Sequence, residues 1–441
     1  PLTDAFEGYL HDPADQSDVY RVYLLAGQNI NINLTGPVGA DYDLFLHEPS
    51  SVDFTGPYAA WASGPAPNET INHTATQTGW YYLRVYADFG FGTYTLITST
   101  SWPVPQPPDT PYRLWGSDRY ETAVEIAREN FPGWQNVDHV IIASGEDRAA
   151  ADPLAASGLV WTYGAPIFLV RSDRIPSSVM NSLMIIASVN GPPEIHVVGG
   201  PVSIPQQRLS EIAAVVPGAT FDRIAPYGDR FTLAASIAHR MNSERPGDHW
   251  GSPFATPRAL IANGADAEKF FDALALSPIA AKNGFPILLV REDSIPGPTQ
   301  AALTSLGLNF RIVAGGPNTI SDAVVADLDA GASTIVYRWS GRDRYETARV
   351  IMNNARALFF PRLLNTANVG VTAKLPDALT GGAFIGLRGG SILVTRKDWV
   401  PTPTYEFLHN NTTQIGECYV FGGVNSITDD TMLDIGNALV P

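Results

Sequence analysis

The chain has 441 residues, 45% of them hydrophobic and 16% charged, with a formal net charge of −16. That is globular material enough for three or four domains, and no run approaches the roughly eighteen apolar residues of a membrane helix. The acidic balance argues against general nucleic-acid binding, which rests on neutralised phosphates.

In chain order, the first hundred residues hold short stretches of period-two alternation: DVYRVYLLAG, NININLTG, DYDLFLHEP, WYYLRVYAD and GTYTLITST. Gly, Pro, Asn and Asp punctuate them, and no long segment of 3.6 period intervenes. This pattern predicts an all-β, antiparallel sandwich over 1–101. Residues 1–110 carry two arginines against twelve acidic residues, a net of −10, which suits extracellular solubility. The pieces around Asp18-Val-Tyr, Asp41-Tyr-Asp-Leu-Phe-Leu, Tyr81-Tyr-Leu-Arg-Val and Gly92-Thr-Tyr-Thr-Leu resemble the bacterial pre-peptidase C-terminal domain. The resemblance implies a jelly-roll-like, non-catalytic module of secreted proteins. Asp41 and Asp43, with Asp15 and Asp18, are candidate calcium ligands, since hard cations take several oxygens; turn-forming aspartates explain the same residues without an ion.

A proline-rich stretch, residues 102–111, reads as an extended spacer. Beyond it one motif returns three times, as RLWGSDRYETAVEIA from Arg113, RIAPYGDRFTLAASIA from Arg223 and RWSGRDRYETARVI from Arg338. Two further blocks keep step with it. Asp-Pro/Ala-Leu recurs at Asp152, Asp272 and Asp377, and a Gly-Gly pair after an apolar run begins at Gly199, Gly315 and Gly422. Three blocks in one order mean three copies of one domain, placed at 112–222, 223–337 and 338–441. Strand, helix, strand, helix in each predicts α/β modules with largely parallel sheets.

Much of the motif has a structural reading. Asp118 with Glu121, and Asp343 with Glu346, have capping-box spacing ahead of an amphipathic helix. Asp152, Asp272 and Asp377 precede small-residue helices and are expected as caps. The glycine pairs predict turns with positive φ, with Ser203, Ser321 or Thr428 capping the next helix. The paired arginines Arg113/Arg119, Arg223/Arg230 and Arg338/Arg344 have two readings: five fixed donors for an anion, or ion pairs that lock module junctions.

The set Arg-x-x-Gly-x-Asp-Arg-Tyr-Glu-Thr-Ala, Asp-Ala-Leu and strand-Gly-Gly resembles the cell-wall-binding repeat type 2 family across 112–441. Copy two departs from it, with Pro226-Tyr227 lengthening the turn, Phe231 for Tyr and Thr232-Leu233 for Glu-Thr. The resemblance implies a secreted, non-enzymatic surface protein with three modules in a pseudo-threefold arrangement. It further implies attachment to an anionic cell-wall glycopolymer, and location at the cell surface or wall. The alternative expectation is a self-assembling S-layer or filament subunit whose partners are copies of itself.

Catalysis is not expected. Eight histidines are present, none recurs across the copies, and no paired-cysteine, Gly-x-Ser-x-Gly or Walker motif occurs. The lone Cys418 reads as a small buried hydrophobe. The chain opens on Pro1 without methionine, as a processed or a truncated chain would, which is uninformative about secretion. Asn33, Asn68, Asn72, Asn410 and Asn411 fit the glycosylation acceptor pattern.

Overall fold

The computed structural model describes residues 2–10, 16–24, 29–49, 51, 58–77, 79–101, 111–225, 227–245, 257–331, 333–358 and 367–440. They fall into two compact units, one carrying the sandwich and the other the repeats. The spacer residues 102–110 lie outside the described residues.

The sandwich has strands β1 (Leu2–Leu10), β2 (Ser17–Leu24), β3 (Asn29–Thr35), β4 (Asp41–His47), β5 (Tyr58–Ala62), β6 (Asn68–Thr74), β7 (Gly79–Phe89) and β8 (Gly92–Ser101). They pair antiparallel as β1-β8-β3-β6 and β2-β7-β4-β5. Alternation drives this: Ile30, Ile32 and Leu34 of β3 and Tyr42, Leu44 and Leu46 of β4 all turn into one core. On the outer face of β3 and β6 an Asn/Thr ladder forms, including Asn33 to Thr70 and Asn31 to Asn72. Two of the acceptor-pattern asparagines, Asn33 and Asn72, belong to it.

Strand alternation also separates the candidate calcium ligands. Asp41 and Asp43 lie on the outer side of β4. Burial, with the charges of Asp41 and Asp88, raises the Asp43 pKa. Asp18 instead accepts a hydrogen bond from Tyr94 Oη at 2.6 Å, on the core side. It therefore does not join Asp41 and Asp43, and Asp15 falls outside the described residues.

The repeat unit opens with β9 (Tyr112–Leu114) and α1 (Arg119–Asn130), then β10 (His139–Ser144), α2 (Ala151–Ala155), α3 (Ser157–Tyr163), β11 (Ile167–Val170), α4 (Ser177–Asn190), β12 (Glu194–Val198) and α5 (Gln206–Val215). The second copy follows as β13 (Thr220–Ile224), α6 (Arg230–Glu244), β14 (Arg258–Asn263), α7 (Phe270–Asn283), β15 (Ile287–Val290), α8 (Gly297–Ser305), β16 (Phe310–Ala314) and α9 (Asp322–Leu328). The third is β17 (Ile335–Trp339), α10 (Arg344–Leu358), β18 (Asn368–Thr372), α11 (Leu375–Ala378), α12 (Gly381–Leu387), β19 (Ser391–Val394), α13 (Thr402–Asn410), β20 (Glu417–Phe421) and α14 (Asp429–Ala438).

Three parallel four-stranded sheets result, ordered β11-β10-β12-β13, β15-β14-β16-β17 and β19-β18-β20-β9. Each takes its fourth strand from the following copy, and the third takes β9 from the first. The sequence boundaries 222/223 and 337/338 therefore cut through β13 and β17, and repeat and sheet are out of phase by one strand.

Between the sheets, the small-residue helices α3, α7 and α12 pack on one another. Their glycines permit the approach. A Cβ on Gly386 would lie 2.5 Å from the Pro278 carbonyl oxygen of α7, and one on Gly382 would overlap Ser277. Cys418 is fully buried in the third core, where burial pushes its pKa up to about 12.

Candidate functional site: the seams between modules

The recurring motif is a seam between two sheets. Its first arginine sits on the exchanged strand and clasps the glycine turn of the preceding copy. Arg223 donates to the carbonyls of Gly199 at 2.6 Å and Ile204 at 2.8 Å. Arg338 donates to Gly315 at 3.1 Å and Ile320 at 2.8 Å, and pairs with Asp322 at 3.3 Å. Arg113 reaches across the chain to Gly422 at 3.0 Å, Ile427 at 2.9 Å and Asp429 at 3.1 Å. Burial lowers the pKa of both Arg113 and Arg223. These guanidiniums spend their donors on backbone carbonyls.

A tight turn then passes the chain to the next sheet. In copies one and three, side chains of the following helix fold back onto its backbone amides. Asp118 accepts from the amides of Tyr120 and Glu121 at 2.9 Å. Glu121 accepts from Ser117 N–H at 2.7 Å, and Thr122 Oγ1 from Gly116 N–H at 3.0 Å. Asp343, Glu346 and Thr347 repeat the pattern. A Cβ on Gly341 would sit 2.5 Å from Glu346 Cβ, so only glycine fits there. Copy two keeps the cap, Asp229 to Thr232 N–H at 2.9 Å, but its Gly228 has φ of +107° and Leu233 has no hydroxyl to fold back.

The second arginine opens the helix and ties neighbouring loops. Arg119 donates to Gly145 O at 2.8 Å and pairs with Asp147. Arg230 donates to Gly264 O at 3.0 Å in its own copy and to Arg148 O at 2.9 Å in the copy before. Arg344 lies 4.6 Å over the Phe271 ring of the copy before. Five of the six arginines thus reach a neighbouring copy, whereas Arg119 binds within its own.

The caps expected of Asp152, Asp272 and Asp377 are not formed. Each lies inside the first turn of its helix, which has no side-chain cap bond. The carboxylates instead turn to the first glycine of the pair. A Cβ on Gly199 would be 3.5 Å from Asp152 Oδ2, and on Gly315 or Gly422 it would be 2.6 Å from Asp272 or Asp377. The glycines hold φ of 126°, 106° and 113°. Ser426 donates to Asp377, and the corresponding Ser203 also faces the turn instead of capping α5, whose cap residue is Pro205. Ser321 and Thr428 do cap their helices. Burial pushes Asp152 up to about 7 against the opposing charge of Arg230. Asp272 is pushed up to about 6 in the same way, against Arg344.

Sequence reasoning missed one recurrent set. The aromatic of each Asp-Arg-aromatic triplet lies under an arginine that follows the second strand of its sheet. Arg171 sits 5.4 Å over Tyr120, Arg291 4.7 Å over Phe231 and Arg396 5.6 Å over Tyr345. Arg291 and Arg396 are exposed and Arg171 half-buried. The segments Leu-Val-Arg, Leu-Val-Arg and Val-Thr-Arg carried the signal at matching places.

Residues 113–208, 228–325 and 338–432 each match Cell wall binding domain 2, and residues 16–87 match the bacterial pre-peptidase C-terminal domain. The chain belongs to the cell wall binding domain 2 family. N-acetylmuramoyl-L-alanine amidase LytC of Bacillus subtilis (strain 168) is 28% identical over 292 residues, covering 66% of this chain and 51% of that protein. The amidase enhancer of the same organism is 26% identical over 335 residues, covering 74% of this chain and 40% of its own length. The chain thus spans about half or less of these relatives. Among solved structures, Cwp6 from Clostridium difficile superposes with a TM-score of 0.66 at 21% identity, covering 96% of this chain and 68% of Cwp6. Cwp8 from Clostridium difficile gives 0.60 at 20% identity, covering 75% and 52%. These two likenesses show the fold.

Proposed function

We propose that the chain is a non-enzymatic attachment protein of the bacterial cell surface, holding an anionic wall glycopolymer through three module junctions in a pseudo-threefold arrangement. The observation that carries this reading is a thrice-built edge at the carboxyl ends of parallel strands, where loops and amides favour anions. Each edge presents an arginine over an aromatic ring, beside a glycine turn and a carboxylate that is buried in the first two copies and half-buried in the third. The seam arginines keep the platform rigid; Arg171, Arg291 and Arg396 meet the polymer. Trp115 and Tyr227, exposed at two of the seams, supply flat apolar faces.

Two triple variants separate these roles. R171Q/R291Q/R396Q is expected to lose binding to purified wall polymer, measured by co-sedimentation, with the melting temperature held within a few degrees. Each lost charge-assisted contact costs about 1.5–3 kcal/mol. R119Q/R230Q/R344Q is expected to lower the melting temperature first. Wild-type binding should weaken with salt. Full binding by the folded first variant overturns the assignment, and ordered arrays in electron microscopy without polymer would favour a lattice subunit.

A further inference from the structure

The amino-end edge of the first sheet holds a group of side chains that the seams do not use. His139 opens β10, Glu194 and His196 are the first and third residues of β12, and the register sets His139 beside Glu194. His139 Nδ1 lies 3.1 Å from His196 Nε2 and 3.8 Å from Glu194 Oε2. One ligand atom from each of the three falls within 4.8 Å of the others.

The surroundings orient these atoms. Asp222 of β13 lies 3.2 Å from His196 Nδ1. A carboxylate only accepts, so Nδ1 carries the proton and the Nε2 lone pair is turned toward His139. Arg240 grips both Asp222 oxygens, one of them at 3.0 Å. The Tyr163 ring stacks on His196 with centroids 3.6 Å apart, fixing its plane. A carboxylate behind a histidine is how proteins prepare an imidazole for metal. Two nitrogens on a tetrahedral zinc at ~2.05 Å stand about 3.3 Å apart, close to the spacing found.

Packing alone does not demand imidazoles here. The corresponding edge of the second sheet holds Arg258, Phe310, Ile312 and Tyr337, with Arg258 stacked 4.1 Å over Phe310. The third holds Asn368, Glu417, Tyr419 and Tyr112, where Arg388 reaches Glu417 at 3.0 Å and Tyr419 at 2.7 Å. On both of those edges an arginine contacts the strand equivalent to β12, whereas on the first sheet Arg240 binds Asp222 of β13 and leaves His139 and Glu194 part-exposed.

We propose that His139, Glu194 and His196 form a divalent transition-metal site, suited to zinc, that staples β10 to β12 and leaves its fourth position to water. The site is independent of the polymer reading. The full chain, stripped with chelator and titrated with zinc chloride by calorimetry, is expected to bind one equivalent and to melt at higher temperature with zinc. D222N, which removes no ligand but weakens the support of His196 and the pair with Arg240, is expected to weaken binding about 10–100-fold. H139A removes a part-exposed ligand, so it should remain folded while losing the zinc-dependent rise in melting temperature. A simple His139–His196 hydrogen bond without an ion predicts no zinc effect on melting. That result, or zinc affinity unchanged in both H139A and E194Q, overturns the proposal.

Discussion

Asp152 shows how a residue type read in one role performs another. An aspartate ahead of small residues has the pattern of a helix cap, and the pattern was legible; its neighbours in space were not. The turn at Gly199 approaches from about fifty residues away, and no local spacing encodes that encounter. Its consequence is titratable. Burial raises Asp152 from 3.8 to about 7 and Asp272 from 3.8 to about 6. Between those limits the folded chain keeps a proton that the unfolded chain has lost. Stability is therefore fully present below about pH 4 and is lost as pH rises through the folded values, at up to about 1.4 kcal/mol per pH unit for each group. D152N, which mimics the neutral acid, is expected to be more stable than wild type at pH 8, with the advantage vanishing at pH 4. Urea titrations at both values check it, and a gain equal at both would mean that burial of charge is not the cause.

At the scale of elements, helix and strand types followed from periodicity because each copy owns a core, and three copies made the blocks unmistakable. The Asp-Arg-aromatic segments begin helices α1, α6 and α10 as their spacing predicts. Partnership was the part that stayed hidden. A strand such as Thr220–Ile224 looks the same whether it joins the sheet before it or after it, and β1, β5 and β6 of the sandwich lie in polar or short stretches with weak alternation. The helix contacts, by contrast, can be tested one glycine at a time. Gly386→Ala drives a Cβ to 2.5 Å from the Pro278 carbonyl of α7, while Gly297→Ala on α8 meets nothing within 4 Å. The first is expected to cost about 1–3 kcal/mol through overpacking. The second should stay within about 0.5 kcal/mol. Chemical denaturation of the pair measures it; equal effects would show that α7 and α12 do not press together at that point.

For the repeat unit as a whole, the exchange of strands has a thermodynamic signature. In an open stack of modules, stability is a sum of neighbour terms and the terminal repeats fray. Here the third sheet is completed by β9, the first strand of the unit, so the chain of sheets closes on itself. A closed circuit has no terminal seam, and damage at any seam should weaken the unit alike. Arg113 and Arg223 test this because they make equivalent clasps at different places. Arg113 holds the closing seam through Gly422 and Ile427, and Arg223 holds an interior seam through Gly199 and Ile204. Replacing either by Ala strands two carbonyls, at about 1–3 kcal/mol each. R113A and R223A are therefore expected to lower the calorimetric melting temperature of the repeats by similar amounts, with one cooperative transition kept in both. Hydrogen exchange should quicken in all three sheets, not only in β9 and β20. If R113A merely loosens β9 while R223A lowers the whole transition, the closing strand is an ornament and the modules form an open stack.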